Sequence, residues 1–403
     1  MKIAILNPYF QSLGGGEKVT TVMAEHLSKK DEVVVLVQEE VDVAKVQKYF
    51  DVDLSRVQFE LLPKAPFLIR LITHPPMRLP GRWNSLLYDW ASLSALRKVK
   101  ADLFINNLYH SSLPSPSPKS IYMCMFPQKL VLTDDYSSPS RKLYNQITSS
   151  LERHFLGTRQ QAVDSYTVIT ANSKYTAGWI KRYWGHESDV VYPVCDSMGP
   201  PKAKKNIILH VGRFFGDNGS SHHKKQHELV KAFIQLGNKD WELHLAGSAG
   251  SDPETQRFMK KLKDLSVGHN NIYLHPNISL DGLQNLYRTA SIYWHATGLG
   301  YDQEKQPENQ EHFGITTVEA MSAGAVPIVI NSAGQREVVQ DGKNGRLWNT
   351  IDDLIKATKE VIKDPKERKK LSAAASKSSE QYSRQNFVNR LDEIIMKVCN
   401  EER

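Results

Sequence analysis

Short apolar runs alternate with helical patterns twice along this chain of 403 residues. In the first half, such runs predict buried strands at residues 2–6, 32–37, 58–62, 103–106, 120–123 and 166–170. Val19, Val22, Met23 and Leu27 fall on one side of a helix predicted over residues 19–28. Strands that alternate with helices in this way form a parallel sheet whose two faces are covered.

A second alternation predicts strands at residues 206–211, 242–246, 272–274, 292–295 and 326–330, and helices at residues 226–236, 253–264 and 315–323. Between the halves, Pro200-Pro201 and several lysines interrupt the periodicity, which indicates a linker at 196–205. We therefore expect two Rossmann-like, doubly wound α/β domains, 1–195 and 206–380, that face a cleft. A C-terminal helix, 381–403, is expected to pack back on the first domain. Ligands of such folds bind beyond the carboxyl ends of the strands.

Cysteine use and hydropathy restrict the class of protein. Cys124, Cys195 and Cys399 are far apart and odd in number, which argues against a disulfide framework and indicates a reducing cytoplasm. The N-terminal apolar run meets Asn7 and Pro8 at once, so it is too short for the core of a signal peptide. Since no uninterrupted apolar run is long enough to cross a bilayer, we expect a cytoplasmic protein, soluble or peripheral on the cytoplasmic face of the membrane.

The net charge of +8 is unevenly spread, and residues 61–100 are strongly basic. This segment contains seven Lys and Arg against one acid, Asp89, interleaved with aromatic and aliphatic side chains. The pattern suits an anionic membrane surface or a phosphate-bearing lipid. A helix with an apolar core face and a solvated basic face is the alternative interpretation, and both remain open. No recognisable nucleic-acid-binding module accompanies the charge, so no nucleic-acid partner is expected.

Two glutamates, Glu311 and Glu319, stand eight positions apart around Gly314, at the start of the predicted helix that precedes the strand at 326–330. The backbone N–H groups of Gly314, Ile315 and Thr316 would be free at that N-terminus, where the helix dipole favours an anion. A diphosphate fits there, but carboxylates beside it would repel it unless they have other partners. Sugar and ribose hydroxyls are such partners, since a carboxylate accepts two hydroxyl hydrogen bonds well. The segment therefore predicts a nucleotide-sugar site.

This segment resembles the characteristic motif of glycosyltransferase family 4, retaining enzymes of the GT-B fold, which have two glutamates separated by seven residues. Glu311-His312-Phe313-Gly314-Ile315 is also similar to the form found in the α-1,2-mannosyltransferases of lipid-linked oligosaccharide assembly and in bacterial surface-polysaccharide relatives. The resemblance implies that Glu311 contacts the donor sugar in the catalytic site and that Glu319 binds the ribose. His312 and Phe313 would belong to the donor site with the helix N-terminus.

Two further segments resemble the family. Val211-Gly212-Arg213 ends a predicted strand, and Lys224 precedes the next helix after a loop, 216–223, that is longer and more polar than in the family. The resemblance implies that Gly212 lies at the donor and that Arg213 and Lys224 neutralise the leaving diphosphate, so that no metal ion is needed. The first-domain loop that contains Gly15 and Gly16 resembles the family's glycine-rich loop, which approaches the donor phosphates.

Relatives often have a histidine in the first domain that contacts the donor sugar. Met125 stands at that position here, and His110, which follows an apolar strand, is the candidate catalytic replacement. Gly247 and Asn277 follow strands where the family holds the base, so they are assigned to the donor site. A structural role for His110 is the alternative interpretation.

The resemblance implies a retaining, metal-independent hexosyltransferase without a cofactor. GDP-mannose is the first donor expected, and a UDP-sugar is the alternative. The acceptor would be a glycan or a glycan on a polyprenyl diphosphate, which residues 61–100 would help to recruit at an anionic membrane. A non-catalytic, membrane-associated homologue is the alternative function. Asp134-Asp135 and Asp352-Asp353 lack the form used by metal-dependent transferases and are interpreted as solvated.

Overall fold

A computed structural model describes residues 1–8, 10, 13–62, 92–109, 111–130, 147, 150, 153, 154, 157–215 and 223–400 of the protein. The chain divides into two compact units. The first unit comprises Met1–Val191 and Val388–Arg403, and the second comprises Tyr192–Phe387. The division lies a few residues before the linker expected at 196–205, and the end of the chain returns to the first unit.

The first unit is built on a seven-stranded parallel sheet. Its strands are β1 (Lys2–Leu6), β2 (Glu32–Val37), β3 (Val57–Leu61), β4 (Leu103–Asn106), β5 (Ser120–Cys124), β6 (Val168–Ala171) and β7 (Asp189–Val190). They lie in the order β3-β2-β1-β4-β5-β6-β7, so the chain winds outward from β1 in both directions. The predicted strands of this half are confirmed to within two residues at their ends. The short strand β7 was not predicted.

Helices of the first unit connect these strands. Among the described residues, they include α1 (Gly15–Leu27), α2 (Val43–Phe50), α3 (Arg159–Asp164) and α4 (Lys174–Trp184). The apolar side predicted for α1 is confirmed, since Val22 and Met23 are almost fully buried. The helix begins four residues earlier than predicted, inside the glycine-rich loop.

The second unit is built on a six-stranded parallel sheet. Its strands are β8 (Lys205–Val211), β9 (Glu242–Gly247), β10 (Ile272–Pro276), β11 (Ala290–His295), β12 (Val326–Ile330) and β13 (Arg346–Trp348), in the order β10-β9-β8-β11-β12-β13. Its helices are α5 (Gln226–Leu236), α6 (Pro253–Leu265), α7 (Leu280–Thr289), α8 (Ile315–Ser322), α9 (Gln335–Val338), α10 (Ile351–Lys363) and α11 (Pro365–Ser379). The strands and helices predicted for this half are confirmed. The helices α7, α9 and α10 and the strand β13 were not predicted.

The inner strands of the second sheet, β9, β8, β11 and β12, are buried on both faces, which explains why they are mostly apolar. Ile208 of β8 and Trp294 of β11 pack in the core layer formed with α5, α6 and α10. Their neighbours Leu209 and Tyr293 point to the opposite face and pack with α7 and α8. The helix α8 is thereby fixed on the sheet, and it follows the loop that leaves the carboxyl end of β11.

The last helix, α12 (Arg384–Asn400), passes from the second unit into the first. Arg384 donates to Asp196 Oδ1 at 3.2 Å in the second unit, whereas Arg390 donates to Asp189 Oδ1 at 2.6 Å in the first. None of the helices in the described part of the chain is long and apolar enough to cross a membrane.

Candidate active site

Lys224, Glu311 and His295 form a hydrogen-bonded cluster at the carboxyl end of the second sheet. Glu311 Oε2 accepts from Lys224 Nζ at 2.6 Å and from His295 Nε2 at 3.0 Å. His295 is the last residue of β11, and Lys224 lies just before α5, which follows the adjacent strand β8. Two residues predicted to be catalytic, Glu311 and Lys224, are therefore brought into direct contact.

The surroundings of Glu311 stabilise its charged form. Only 16% of its side chain is exposed, and burial by itself would raise the pKa of the carboxyl group. The Lys224 ammonium and the His295 N–H outweigh burial, so the pKa of Glu311 lies well below its usual range. Its other oxygen, Oε1, accepts no hydrogen bond from the described residues. A ligand hydroxyl can donate to this oxygen.

His210 of β8 and His295 of β11 are buried beside each other, with ring centroids 6.2 Å apart. Burial lowers the pKa of His210 to about 3 and also lowers the pKa of His295. His210 Nδ1 lies 2.9 Å from the carbonyl oxygen of Trp294, so this nitrogen carries the proton. Among the described residues, His210 Nε2 and His295 Nδ1 have no hydrogen-bond partner. Both rings are therefore neutral donors at pH 7, each through one nitrogen.

The N-terminus of α8 has the form expected for an anion site. Gly314 has a φ of +110°, which few other residues adopt, and a Cβ there would lie 2.3 Å from Gln335 Nε2. Thr317 donates to Gln335 Oε1 at 3.0 Å and thereby sets the orientation of that amide. The glycine thus permits both the turn and the close packing of Gln335. The first N–H groups of α8 have no partner within the helix and stand next to Glu311 in the chain.

Two tyrosines fix polar side chains on α8. The Tyr287 hydroxyl donates to Glu319 Oε2 at 3.0 Å, and the Tyr293 hydroxyl donates to Thr316 Oγ1 at 2.7 Å. Burial, followed by the charge of Glu319, raises the pKa of Tyr287 well above its usual value, so the hydroxyl keeps its proton. The Tyr287 hydroxyl therefore fixes Glu319 Oε2, as Lys224 and His295 fix Glu311 Oε2.

Aromatic packing holds the loop between the two glutamates. The Phe313 ring lies 5.5 Å from the ring of Tyr192 and 5.1 Å from that of Tyr382. A Cβ on Gly334 would lie 2.2 Å from the carbonyl oxygen of His312, which shows how closely the next loop approaches. Phe313 and His312 are both buried. The two side chains therefore support the loop from the protein interior and are not part of its exposed surface.

A second close approach of backbones lies beside Lys224. A Cβ on Gly247 would lie 2.1 Å from the carbonyl oxygen of Gly212, and a Cβ on Gly212 would lie 2.9 Å from Lys224 Cγ. The Arg213 side chain is exposed, with its guanidinium 4.8 Å from the centre of the Phe215 ring. Arg213 makes no ion pair with an acid among the described residues, so its charge is available to an anionic ligand.

Asn277 adopts a φ of +55° after β10. Its side chain accepts from Ala249 N–H at 2.9 Å and donates to the Ala249 carbonyl at 3.0 Å. The Asn277 N–H donates to the Gly247 carbonyl at 2.8 Å. The side chain thus fixes the loop after β9, and any contact of Asn277 with a base would be made by its backbone.

In the first unit, the loop at the start of α1 is held by its neighbours. Asn107 donates to the Gly16 carbonyl at 3.2 Å, and the Glu17 carboxylate accepts from Gly14 N–H at 2.7 Å. A Cβ on Gly16 would lie 3.0 Å from Met125 Cε. Gly15 is the first residue of α1. Met125 therefore lies against the glycine-rich loop, where the family's histidine was expected.

Several predicted features lie outside the described residues. These are the candidate His110, the acidic pair Asp134-Asp135, residues 63–91 of the basic segment and residues 216–222 of the loop before Lys224.

The other acidic pair lies at the start of α10. Asp353 Oδ2 accepts from Thr350 N–H at 3.0 Å, and Asp352 Oδ1 accepts from Gln235 Nε2 at 3.2 Å. Asp353 thus satisfies a backbone donor at the helix end. No group of three or more His, Cys, Asp or Glu in the described ranges is arranged to hold a metal ion.

Sequence reasoning gave no role to His295, Tyr287 or Gln335. His295 ends an apolar strand, and a polar residue at that position is a recognisable signal. Tyr287 and Gln335 carry no local signal, because each reaches its partner from another helix.

Comparison with known proteins identifies the class of protein and its fold. Residues 198–378 match the family model of the glycosyl transferases group 1. The GDP-Man:Man(3)GlcNAc(2)-PP-Dol alpha-1,2-mannosyltransferase of Dictyostelium discoideum is 25% identical, over 100% of this chain and 85% of that protein. The alpha-1,3/1,6-mannosyltransferase ALG2 of the same organism is 24% identical, over 74% of this chain and 76% of that protein.

Solved structures share the fold. Anabaena HepE in complex with UDP and glucose superposes with a TM-score of 0.64 at 16% identity, over 98% of this chain and 100% of that one. Sucrose-phosphate synthase from Thermosynechococcus elongatus gives a TM-score of 0.67 at 15% identity, over 99% of each chain. The protein is therefore a glycosyltransferase of the GT-B fold that resembles the mannosyltransferases of lipid-linked oligosaccharide assembly.

Proposed function

We propose that the chain transfers mannose from GDP-mannose, with retention of configuration, to a glycan carried on a polyprenyl diphosphate. The observation that carries the proposal is the pair of oriented carboxylates, Glu311 and Glu319, on either side of the N-terminus of α8. Each carboxylate is held through Oε2 by a protein donor. A sugar hydroxyl at Glu311, a ribose hydroxyl at Glu319 and a diphosphate at the helix N-terminus together match a nucleotide-sugar.

The reaction follows from where charge develops. The bond between the anomeric carbon and the β-phosphate oxygen breaks, and a bond from the acceptor oxygen to the same carbon forms on the same face. The leaving phosphate oxygen takes the proton of the acceptor hydroxyl. Arg213, Lys224 and the N-terminus of α8 stabilise the negative charge on the phosphate. The protein then contributes positioning and electrostatic stabilisation, without a covalent intermediate.

No metal ion or other cofactor is part of the proposal. A metal ion in a transferase neutralises the leaving diphosphate, and Arg213 with the positive end of α8 would supply that charge here. Lys224 adds a further charge when the diphosphate competes with Glu311 for its ammonium group.

The choice of donor and acceptor is supported by the named activities of the curated relatives, which use GDP-mannose and dolichol-linked glycans. A polyprenyl-linked acceptor lies in a membrane, so we also propose that residues 61–100 contact the anionic cytoplasmic face. Sedimentation with vesicles of anionic lipid at low and high salt tests this part separately. Binding that salt abolishes supports the contact, and no binding at low salt contradicts it.

The donor site is tested by thermal stabilisation with GDP, UDP, ADP and their sugar conjugates, each with and without a chelator. We expect GDP and GDP-mannose to raise the Tm, and the chelator to leave the shift unchanged. The shift should be lost in Glu319→Ala and kept in Glu254→Ala, a matched variant of an exposed helix glutamate in the same unit.

The possible outcomes separate the parts of the proposal. A shift with UDP and its sugars alone would replace the donor by a UDP-sugar and leave the transferase function in place. A shift that the chelator abolishes would overturn metal independence. Folded protein that responds to no nucleotide would contradict the transferase proposal and favour a non-catalytic homologue.

A further inference from the structure

We infer that His295 is a positioning residue of the transfer reaction, which holds the Glu311 carboxylate so that Oε1 faces the donor sugar. The inference rests on the proposed function of Glu311 and assigns the role to a residue outside the motif of the two glutamates. Glu311 accepts the hydrogen bonds from Lys224 and His295 through the same oxygen, Oε2. Because two donors fix Oε2, the direction of the other carboxylate oxygen, Oε1, is also defined.

The hydrogen bond settles which ring nitrogen carries the proton. His295 Nε2 lies 3.0 Å from Glu311 Oε2, and a carboxylate can only accept, so Nε2 is the donor. Burial keeps the imidazole neutral at pH 7, since it lowers the pKa of His295. His295 therefore contributes direction without adding charge, whereas Lys224 contributes the charge.

The division of roles matters when the donor binds. Lys224 lies 2.6 Å from Glu311 in the free protein, and the diphosphate of the donor competes for the same ammonium group. The bond from His295 does not involve the phosphate, because this ring is buried with only 1% of its side chain exposed. Glu311 therefore keeps one fixed donor when Lys224 turns to the phosphate.

A role in core packing alone would not explain a histidine at this position. Its chain neighbours Tyr293, Trp294 and Ala296 are fully buried, so the polar atoms of the ring give up contact with solvent. His295 Nδ1 is buried without a hydrogen-bond partner among the described residues. Such an unpaired atom costs desolvation free energy. His295 Nε2 lies 3.0 Å from Glu311 Oε2 and 3.3 Å from the Thr297 hydroxyl, and the shorter contact, with the carboxylate, is the stronger gain from the histidine.

The test compares His295→Gln with His295→Asn. The Gln amide can reach the position of Nε2 and donate to Glu311, whereas the Asn amide reaches only the position of Nδ1. We expect the kcat of transfer to fall about a hundredfold in His295→Asn and by less than tenfold in His295→Gln. The Kd for GDP, which lacks the sugar that is transferred, should stay within about twofold of wild type in both variants.

A pH profile separates positioning from packing. The His295 N–H lowers the pKa of Glu311, so its loss raises that pKa and moves the acid limb of kcat/KM to higher pH in His295→Asn. His227→Asn, which alters a buried histidine bonded to Glu228 elsewhere in the unit, serves as the control for lost packing and should leave the acid limb in place.

The inference is overturned if the Gln and Asn variants lose kcat equally, or if the acid limb does not move in His295→Asn. If His295→Asn does not fold, His295→Gln decides the question alone. A hundredfold loss of kcat in His295→Gln, with normal binding of GDP, would also overturn the inference. Failure of the proposed function looks different, since the wild-type protein itself would then neither bind GDP nor transfer sugar.

Discussion

Lys224 and Lys225 are consecutive, yet their ammonium groups contact different residues. Lys224 Nζ is 2.6 Å from Glu311 Oε2, whereas Lys225 Nζ is 4.3 Å from the centre of the Tyr301 ring. The turn between them explains the separation, because Lys225 adopts a φ of +55° at the start of α5. The pair therefore provides an internal control for the role of the first lysine.

We expect Lys224→Met to lower kcat/KM by about a hundredfold or more, because it removes a cation from the donor site and leaves Glu311 without its counter-charge. The loss of a partner for a mostly buried carboxylate should also cost about 1–3 kcal/mol of stability. Lys225→Met removes the same charge from the neighbouring position and should cost less than about tenfold. Steady-state kinetics and calorimetry of the two variants check this. Equal losses would show that net charge, rather than the contact with Glu311, is what matters.

Gly314→Ala is expected to weaken GDP binding by about tenfold or more and to cost about 1–3 kcal/mol of stability. The added Cβ would meet Gln335 Nε2 at 2.3 Å, in a backbone conformation with a φ of +110°. Isothermal titration and thermal unfolding measure the two effects. Gly342→Ala is the control, since that glycine also has a positive φ, +68°, but open space around its Cβ position.

Gly342→Ala introduces backbone strain at a positive φ but no steric clash of the added Cβ. Gly342→Ala should therefore lose some stability and keep its affinity for GDP. If Gly314→Ala bound GDP as tightly as wild type, the N-terminus of α8 would not be the phosphate site.

Tyr287→Phe is expected to weaken GDP binding by about 2–10-fold with little change in kcat. The variant removes the hydroxyl that orients Glu319, and a single hydrogen bond is worth about 0.5–1.5 kcal/mol. Tyr166→Phe, which removes a buried hydroxyl that donates to the Leu113 carbonyl in the first unit, is the matched control. Equal affinities in both variants would mean that Glu319 needs no orientation by Tyr287.

The sheets and the main helices followed from the sequence because burial on both faces leaves an uninterrupted apolar run, as in β8 and β12. The helices α2, α4, α7 and α10 were not predicted from the sequence. They are amphipathic helices whose polar faces dilute the apolar pattern, and their positions are fixed by packing against the sheet. The loop with Glu311 was recognisable because a glycine, two carboxylates and a helix start lie within a few positions.

The partners of the site residues could not be predicted in the same way. Lys224 was assigned from the resemblance to the family, whereas its contact with Glu311 could not be read from the sequence. The bonds from Tyr287 to Glu319 and from Thr317 to Gln335 join residues on different helices, so only the folded structure brings them together. Met125 was predicted to stand near the site, but its packing against Gly16 depends on how α1 meets β5.

Buried neutral histidines predict a loss of stability in mild acid. The pKa of His210 is about 3 in the folded protein because burial disfavours the charged ring, whereas the value in the unfolded chain is 6.5. Below pH 6.5 the unfolded chain binds a proton that the folded protein cannot. The stabilisation is therefore complete above pH 6.5 and is lost progressively as the pH falls towards 3. At pH 5 this one residue accounts for about 2 kcal/mol, or a decrease in Tm of about 4–8 °C.

Calorimetry at pH 7.5 and pH 5.0 measures this loss, and His210→Asn removes the titrating ring. The Asn amide keeps a donor for the Trp294 carbonyl, so the variant should fold, although with a lower Tm at pH 7.5 because the ring's packing is lost. Its decrease in Tm between the two pH values should be smaller than that of wild type by the share assigned to His210. An equal decrease in both proteins would show that His210 does not couple folding to pH. In either case, burial also lowers the pKa of His227 and of His295, so these two residues contribute to the acid sensitivity that the variant keeps.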